Sequence, residues 1–326
     1  MQITALALAS ALVGWTPPMT SAPRVPQTHP ASSAAPAPAP IVAAPAGGLI
    51  TVDALGAALA GATLVAVGEK HDSLAHHQVQ TELLSLLAER VPATAVGFEM
   101  ISYEDQPKLD DFAAGRTSEA DFAVWWKKVW GFDYAMYKPI FDEARKQGLP
   151  LYALNAPSAL VKAVARGGLS SLPHADRARL PSVVQESTDP RYRDFVLQSV
   201  SSHGPMMESL MQRMGIDVQA FATTDPVVIE RRIQAMAVWN ETMGEQAARR
   251  VAAGHTLFLV AGQGHVLYKA GVPESARRRG VAATVVVLPY PFEPEDGLGV
   301  PEMLARLRDP AQDDIQQADY FRLLPW

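Results

Sequence analysis

The sequence contains no cysteine among its 326 residues. This absence excludes disulfide bonds, thiolate metal sites, cysteine nucleophiles and a lipid anchor attached through an N-terminal cysteine. It does not fix the compartment, because exported proteins can fold without disulfides. Positive charge is also scarce, since the net charge is −6 and the one basic run of three residues is Arg277–Arg279. Nucleic acid is therefore not expected as a partner.

Features that would indicate a membrane span or a nucleotide site are also lacking. The N-terminal apolar run, Ile3–Trp15, is too short to predict a transmembrane helix and is closed by Pro17-Pro18. Thr20-Ser21-Ala22 follows as a small-residue cleavage site, although no Lys or Arg precedes the run. We therefore expect residues 1–22 to be a signal peptide of a periplasmic or extracellular protein. Gly262-Gln263-Gly264 lacks the third glycine and the acidic residue of a dinucleotide fingerprint.

Composition divides the rest of the chain into three parts. Residues 23–48 are mostly Pro, Ala and Ser with almost no charge, which predicts a semi-extended linker. Residues 49–292 carry the apolar periodicity of a folded domain, and the apolar content of 48% is ample for a core. Residues 293–326 are a Pro-rich, acidic tail with an aromatic end, for which the sequence predicts no docking position.

Four apolar segments of strand length end in polar side chains. The segments are residues 64–69, 94–99, 150–155 and 257–261. Their runs of Val, Leu and Ala favour strands covered on both faces, as in a parallel sheet. The polar ends are Glu69 with His71, then Glu99, Asn155 and, after a Gly-Gln-Gly turn, His265. Because ligands bind outside the carboxyl ends of strands in open α/β sheets, we expect these side chains to share a site.

The remaining periodicities complete a predicted α/β fold. A strong amphipathic helix spans residues 75–90, and residues 282–288 form a fifth strand. We predict a mostly parallel central sheet flanked by helices, with a helical insertion at about residues 158–253 between the third and fourth core strands. His76 and His77 lie in the first turn of the helix and are expected to form a surface pair or to turn one ring inward.

The carboxylates and imidazoles at the predicted sheet edge suit three kinds of chemistry. His71, His265 and Glu99 can hold a divalent metal ion that polarises a carbonyl or activates water. Without a metal, a His–Glu pair can act as a general base. The same groups, with Asn155, can bind a cofactor, or they can form a buried polar network with no ligand. The candidate catalytic residues are Glu69, His71, Glu99 and His265.

An aromatic segment follows the second predicted strand. Its tyrosines, Tyr134 and Tyr137, carry hydroxyls that need partners if they are buried, and such rings can line a cavity for a flat apolar ligand. In the loop His203–Met207, the methionines follow no helical period and can fold over a soft, apolar cofactor. We therefore add Tyr134, Tyr137, His203 and Met206 to the candidate cofactor-binding residues.

An ordered set of motifs resembles a known family. The motifs are Gly68-Glu69-Lys70-His71-Asp72, His76-His77-Gln78-Val79-Gln80, Gly97-Phe98-Glu99-Met100 with Gln106, Trp130-Gly131-Phe132, Tyr137-Lys138-Pro139-Ile140-Phe141, Leu154-Asn155-Ala156-Pro157 and Gly262-Gln263-Gly264-His265. Together they resemble the ChaN-like haem-binding family of iron-regulated bacterial proteins, from Thr63 to about Leu288. That family shares a superfamily with Tiki-type metalloproteases and erythromycin esterases, whose catalytic histidines the two Gly-x-x-His motifs resemble.

The resemblance implies an exported protein that binds haem in iron acquisition, as a homodimer with haem near the interface. The axial ligand stays open among Tyr134, Tyr137, His203 and Met206–Met207, since haem iron accepts His, Tyr or Met. Many relatives carry a lipid on an N-terminal cysteine, which this chain lacks, so soluble export is expected. The alternative hypothesis is a metal-dependent or acid–base hydrolase, an esterase or peptidase, that uses the Glu and His residues.

Overall fold

An eight-stranded sheet crosses the part of the chain that the computed structural model describes, which is residues 40–44, 46–201, 224–291 and 298–324. In chain order its strands are β1 (Ile41–Ala43), β2 (Gly48–Ile50), β3 (Leu64–Glu69), β4 (Thr94–Ser102), β5 (Leu151–Asn155), β6 (Thr256–Gly262), β7 (Thr284–Tyr290) and β8 (Tyr320–Leu323). Their order across the sheet is β2-β1-β8-β7-β3-β6-β4-β5. Neighbours from β8 to β5 are parallel, while β1 is antiparallel to β2 and β8. The predicted α/β fold is confirmed.

Helices cover both faces of this sheet. Within the described ranges they are α1 (Val52–Ala60), α2 (Leu74–Ala88), α3 (Gln106–Ala113), α4 (Glu119–Trp130), α5 (Tyr134–Lys146), α6 (Ser158–Gly167), α7 (His174–Arg177), α8 (Pro190–Ser201), α9 (Pro226–Ala252), α10 (Val272–Arg278) and α11 (Val300–Leu307). One core cluster joins the sheet to α1–α5, and a second joins it to α8–α11. In the described residues we find no helix with the length and apolarity needed to cross a membrane.

The two cores explain why the central strands are apolar at every position. In β3, Val65 and Val67 point into the first core, whereas Leu64 and Ala66 point into the second. All four side chains are buried. Burying a valine or leucine side chain stabilises the fold by about 1.5–3 kcal/mol, so a polar residue is costly until the strand leaves the sheet.

The strand register brings three carboxyl ends together at the middle of the sheet. β6 lies between β3 and β4. Glu69 of β3 pairs with Gly262 of β6, and on the other side Val260 pairs with Phe98 of β4. The pairing of β4 with β6 ends at Phe98, although β4 continues to Ser102. Because Glu99 follows Phe98, Glu69, Gly262 and Glu99 lie side by side.

The segment between β5 and β6 is helical in the described residues, as predicted. It contains α6, α7, α8 and the 27-residue α9. α9 begins at Pro226, where the side chain of Asp225 accepts the N–H of Val227 and caps the helix. It packs against α6, α8 and α10. This insertion therefore forms much of the layer on one face of the sheet.

Both ends of the described chain add to the sheet. The predicted linker, residues 23–48, extends too far, because Ile41–Ala43 is a strand that pairs with β8. The tail after residue 293 contributes β8, which continues the parallel sheet beyond β7. Phe321 of β8 is fully buried, and this burial explains the docking of the tail. The predicted signal peptide, residues 1–22, lies outside the described residues.

Candidate functional site

Glu69 is a buried carboxylate at the end of β3 that several polar side chains surround. Tyr137 donates its hydroxyl to Oε1 at 2.6 Å, and His71 donates Nδ1–H to the same oxygen at 2.8 Å. His77 Nε2 lies 3.1 Å from Oε2. Burial alone would raise the pKa of Glu69, but the nearby His77 and the hydrogen bond from His71 outweigh burial and lower the pKa below its usual value. Glu69 is therefore ionised and orients the groups around it.

His71 is the member of the cluster that solvent reaches most easily. About a fifth of its side chain, 18%, is exposed, against 10% for His265 and 5% for Glu99. Because Nδ1 faces Glu69, Nε2 is the ring nitrogen that Glu69 does not engage, and it lies near Gly262. Burial alone would lower the pKa of His71, but the hydrogen bond to Glu69 and the charge of Glu99 raise it above the ordinary value. With Nδ1 held by Glu69 and the largest exposed fraction of the cluster, His71 is the imidazole best placed to touch a ligand.

Two aromatic rings form a wall beside His71. The ring of Trp130 lies edge-on with centroids 4.8 Å apart, and the ring of Phe132 lies 5.7 Å away. Trp130 also donates its Nε1–H to the Tyr137 hydroxyl at 3.2 Å, which in turn donates to Glu69. The wall is therefore held by the same hydrogen-bond network that orients His71.

Glu99 forms a second carboxylate–imidazole pair with His265. Its Oε1 lies 3.2 Å from His265 Nε2, and its Oε2 accepts the backbone N–H of Gly262 at 2.5 Å. Burial alone would raise the pKa of Glu99, but His265 outweighs it through charge and hydrogen bonding and lowers the pKa. His265 reaches this position because a 3₁₀ turn, Gln263–His265, follows β6 directly. Both members of the pair are buried.

Gly262 allows the two pairs to approach each other. A Cβ at this position would lie 2.6 Å from Cε1 and 2.9 Å from Nε2 of His71, and 3.4 Å from Oε2 of Glu99. No side chain fits in that space without moving the His71 ring. The structure thus brings together the four candidate catalytic residues of the sequence analysis, which are Glu69, His71, Glu99 and His265.

Two other candidate residues, Asn155 and Tyr134, have structural contacts of a different kind. Asn155 donates Nδ2–H to the backbone oxygen of Glu99 at 2.8 Å and accepts the N–H of Ala156 through Oδ1. Its amide therefore fixes the ends of β4 and β5. Tyr134 is buried in the first core, in ring contact with Phe112, Phe122, Trp126 and Phe141. Of the two candidate tyrosines, Tyr137 is the one that donates to Glu69. His203 and Met206 lie outside the described residues.

Both histidines at the start of α2 are buried, which differs from the expected surface pair or single inward ring. His77 lies beside Glu69, whereas His76 Nδ1 accepts the backbone N–H of Lys70 at 2.9 Å. Adjacent helix positions point in different directions, and each ring meets a polar group because the β3–α2 turn surrounds the start of the helix. Burial lowers the pKa of His76 to about 4.

Sequence reasoning missed two residues of the helical insertion that stand behind His265. Asn240 of α9 lies with Oδ1 2.8 Å from His265 Nδ1, and it donates Nδ2–H to the hydroxyl of Tyr192 on α8. The two residues also line a cavity of about 320 Å³ between these helices. The signal for Asn240 was its place on the apolar stripe of α9, where a polar side chain needs a partner.

The side chains that could donate to a metal decide whether the site fits a bare metal ion or haem. In the described part of the chain, no group of three or more His, Asp or Glu side chains can hold a metal ion. The predicted set of His71, His265 and Glu99 is therefore not supported, since Glu99 and His265 already pair with each other. Haem needs a single axial donor, because the porphyrin supplies the others. His71 Nε2, with a carboxylate behind Nδ1, has the arrangement of a metal-ligating histidine and fits this need.

The comparison with protein-family models shows which family the chain belongs to. The family model described as "Haem-binding uptake, Tiki superfamily, ChaN" matches residues 55–275, more than half of the chain. The chain belongs to this family. The match includes every residue of the cluster, from Glu69 to His265, so the ChaN resemblance inferred from the motifs is confirmed. The search of curated proteins finds no match.

Solved structures with a similar fold include a ChaN protein. The structure described as "Cofacial heme binding to ChaN of Campylobacter jejuni" is 15% identical, with a TM-score of 0.60, and the alignment covers 87% of this chain and 95% of that one. The type III effector HopBA1 is 12% identical, with a TM-score of 0.44 and coverage of 83% and 92%. An erythromycin esterase EreC mutant is 12% identical, with a TM-score of 0.41 and coverage of 73% and 72%. At these identities, the first likeness shows that the ChaN fold is shared.

Proposed function

We propose that this ChaN-family protein binds haem at the carboxyl edge of its sheet and acts in haem or iron uptake. The observation that carries the proposal is the imidazole of His71, whose Nδ1 is held by the ionised Glu69 and whose side chain is the most exposed of the cluster. The family description and the heme bound by the ChaN of Campylobacter jejuni support haem as the ligand.

The residues around His71 have distinct roles in this proposal. Glu69 would hold the proton of His71 on Nδ1, so that Nε2 would be the nitrogen that releases its proton and binds iron. Trp130 and Phe132 provide flat apolar contacts beside the imidazole. Tyr137 fixes the carboxylate of Glu69 from the other side. Bound haem supplies an iron centre that accepts one imidazole nitrogen from the chain.

A haem titration tests this function. Haem is added to the purified full chain, and the visible spectrum is recorded at each addition. We expect a shifted Soret band that saturates at a fixed ratio of haem to protein. Absence of a Soret shift and of saturation removes the proposal.

We also propose that the protein is exported and acts as a homodimer. Export is supported by the apolar run Ile3–Trp15 and the small residues Thr20-Ser21-Ala22. Cofacial binding, described for the relative from Campylobacter jejuni, brings two haem faces together, and two copies of one chain provide two such faces. N-terminal sequencing of the mature protein tests cleavage near Ala22. Light scattering after chromatography, with and without haem, tests the dimer.

Hydrolysis is the second candidate function. The observation that favours it is the presence of two carboxylate–imidazole pairs at one sheet edge, Glu69–His71 and Glu99–His265. A carboxylate that holds an imidazole in one orientation supports general-base catalysis by its other nitrogen. An esterase and peptidase panel, together with metal analysis, tests this activity on the wild type, His71→Ala and His265→Ala. Activity that is indifferent to both substitutions removes this candidate.

A further inference from the structure

Behind His265, a chain of hydrogen bonds runs into the helical insertion. His265 Nδ1 lies 2.8 Å from Asn240 Oδ1, Asn240 Nδ2 lies 2.8 Å from the Tyr192 hydroxyl, and that hydroxyl lies 2.8 Å from the backbone oxygen of Gly264. Asn240, Tyr192 and His265 are all buried, so water does not easily replace any of these partners. This series of hydrogen bonds begins and ends in the same turn, because Gly264 directly precedes His265.

The chemistry of these groups fixes the direction of every hydrogen bond. The oxygen of Gly264 can only accept, so Tyr192 donates to it. The Tyr192 oxygen then accepts from Asn240 Nδ2, which turns Oδ1 of Asn240 towards His265. Because that oxygen can only accept, His265 Nδ1 carries a proton.

We propose that Asn240 and Tyr192 are positioning residues, which keep a proton on Nδ1 of His265 while Nε2–H donates to Glu99. The helical insertion thereby holds the Nδ1 proton and the ring orientation of an imidazole at the sheet edge. The functional meaning of this arrangement rests on the proposed function of the site. The test of the arrangement, however, needs neither haem nor a substrate.

The proposal gives the two imidazoles of the site different roles. His71 has its Nδ1 engaged by Glu69, and its side chain is the more exposed of the two imidazoles. His265 has both nitrogens engaged inside the protein, by Asn240 and by Glu99. His265 therefore orients Glu99 beside Gly262 and does not compete with His71 for a ligand.

The protons on the two ring nitrogens of His265 can be read directly by nuclear magnetic resonance. The full chain is labelled with ¹⁵N in its histidines, and two-bond ¹H–¹⁵N spectra are recorded, with His265→Gln used to assign the His265 signals. In the wild type we expect a protonated Nδ1. Asn240→Asp keeps an acceptor and is expected to retain that pattern. Asn240→Leu removes the acceptor at Nδ1 while Glu99 still accepts from Nε2, so the Nδ1 signal of His265 is expected to move towards that of an unprotonated nitrogen.

Two further variants keep the test decisive if Asn240→Leu does not fold. Tyr192→Phe removes the hydroxyl that fixes the Asn240 amide, and it is expected to move the His265 shifts in the same direction by a smaller amount. Gln246→Leu changes another buried polar residue of α9 that takes no part in these hydrogen bonds. It is expected to leave the His265 nitrogen shifts unchanged. An unprotonated Nδ1 in the wild type overturns the inference. So do unaltered His265 signals in a folded Asn240→Leu or Tyr192→Phe variant. Haem titration of the wild type separately tests the proposed function.

Discussion

Tyr134 and Tyr137 are one helical turn apart on α5 and are both buried, but their hydroxyl groups have different surroundings. The Tyr137 hydroxyl donates to Glu69 and accepts from Trp130. The Tyr134 hydroxyl is buried without a hydrogen-bond partner in the described residues. A buried hydroxyl stabilises a protein through the hydrogen bonds that it makes. The hydroxyl of Tyr137 therefore contributes to stability, whereas that of Tyr134 does not.

Replacing each tyrosine by phenylalanine tests this difference. Tyr137→Phe leaves Trp130 Nε1 without its acceptor and removes a donor to the Glu69 carboxylate, and we expect it to lower the free energy of unfolding by about 1–3 kcal/mol. Tyr134→Phe removes an unsatisfied polar group, so we expect it to be neutral or stabilising. Urea unfolding of the two variants and the wild type measures both effects. Equal losses in the two variants would contradict the hydrogen-bond assignment.

The buried His76 makes stability depend on pH. Its pKa is about 4 in the folded protein and near 6.5 in an unfolded chain, so the unfolded state takes up a proton first as the pH falls. Its contribution to stability is complete above pH 6.5 and is lost between pH 6.5 and 4, by up to roughly 3 kcal/mol.

His76→Asn isolates this contribution, because asparagine can accept the N–H of Lys70 but does not titrate. Urea unfolding at several pH values between 7 and 4 compares the variant with the wild type. We expect the variant to lose less stability over this range. An identical loss in both proteins would assign the pH dependence to other groups.

At the scale of elements, the site depends on how closely the turn after β6 approaches β3 and β4. Gly262 leaves no room for a Cβ beside His71, whereas a Cβ at Gly264 would lie 3.4 Å from the Phe195 ring, an ordinary contact. The two glycines of one motif therefore have different tolerance to a methyl group.

Gly262→Ala is expected to push the His71 ring from its place and to weaken haem binding at least tenfold, with the fold retained. Gly264→Ala is the matched control in the same turn and is expected to bind haem as the wild type does. Circular dichroism checks the fold of each variant, and the haem titration gives the affinity. Wild-type affinity in Gly262→Ala would show that the His71 ring position is not needed.

The sequence predicted the elements whose apolar pattern is unambiguous. Strands buried on both faces are apolar where they pair inside the sheet, so Glu69, Glu99 and the Gly262–His265 turn stand out. β4 itself continues past Glu99 to Ser102, three residues beyond the predicted strand. Asn240 and Tyr192 did not stand out, because their roles depend on how α8 and α9 pack against a turn distant in the chain. The burial of both His76 and His77 likewise depends on tertiary contacts at the start of α2.

At the scale of the described chain, segments from both ends complete the sheet. β8 pairs with β7 and β1, and the side chain of Phe321 is fully buried in the second core. The composition of these segments, rich in Pro and Ala or acidic, predicted a linker and a tail instead. A strand of three or four residues is too short for hydrophobic periodicity to reveal. The addition of β1 and β8 to the sheet therefore could not be predicted from the sequence pattern.

Phe321→Ala tests whether the last strand stabilises the fold. Truncating a fully buried phenylalanine costs about 3–5 kcal/mol, so we expect a large drop in the free energy of unfolding. Leu49 of β2 is 56% exposed, and Leu49→Ala is expected to change stability by about 0.5 kcal/mol or less. Thermal and urea unfolding measure both. A small loss for Phe321→Ala would mean that the tail is dispensable.

The central claim is that haem binds this chain through the cluster around His71. It is tested most directly by comparing the haem titration of His71→Ala with that of His174→Ala, which changes an exposed histidine of α7. We expect the Soret shift to be lost, or the affinity to fall at least tenfold, in His71→Ala, while His174→Ala titrates as the wild type does. Saturable binding of wild-type affinity in a folded His71→Ala variant would contradict the account.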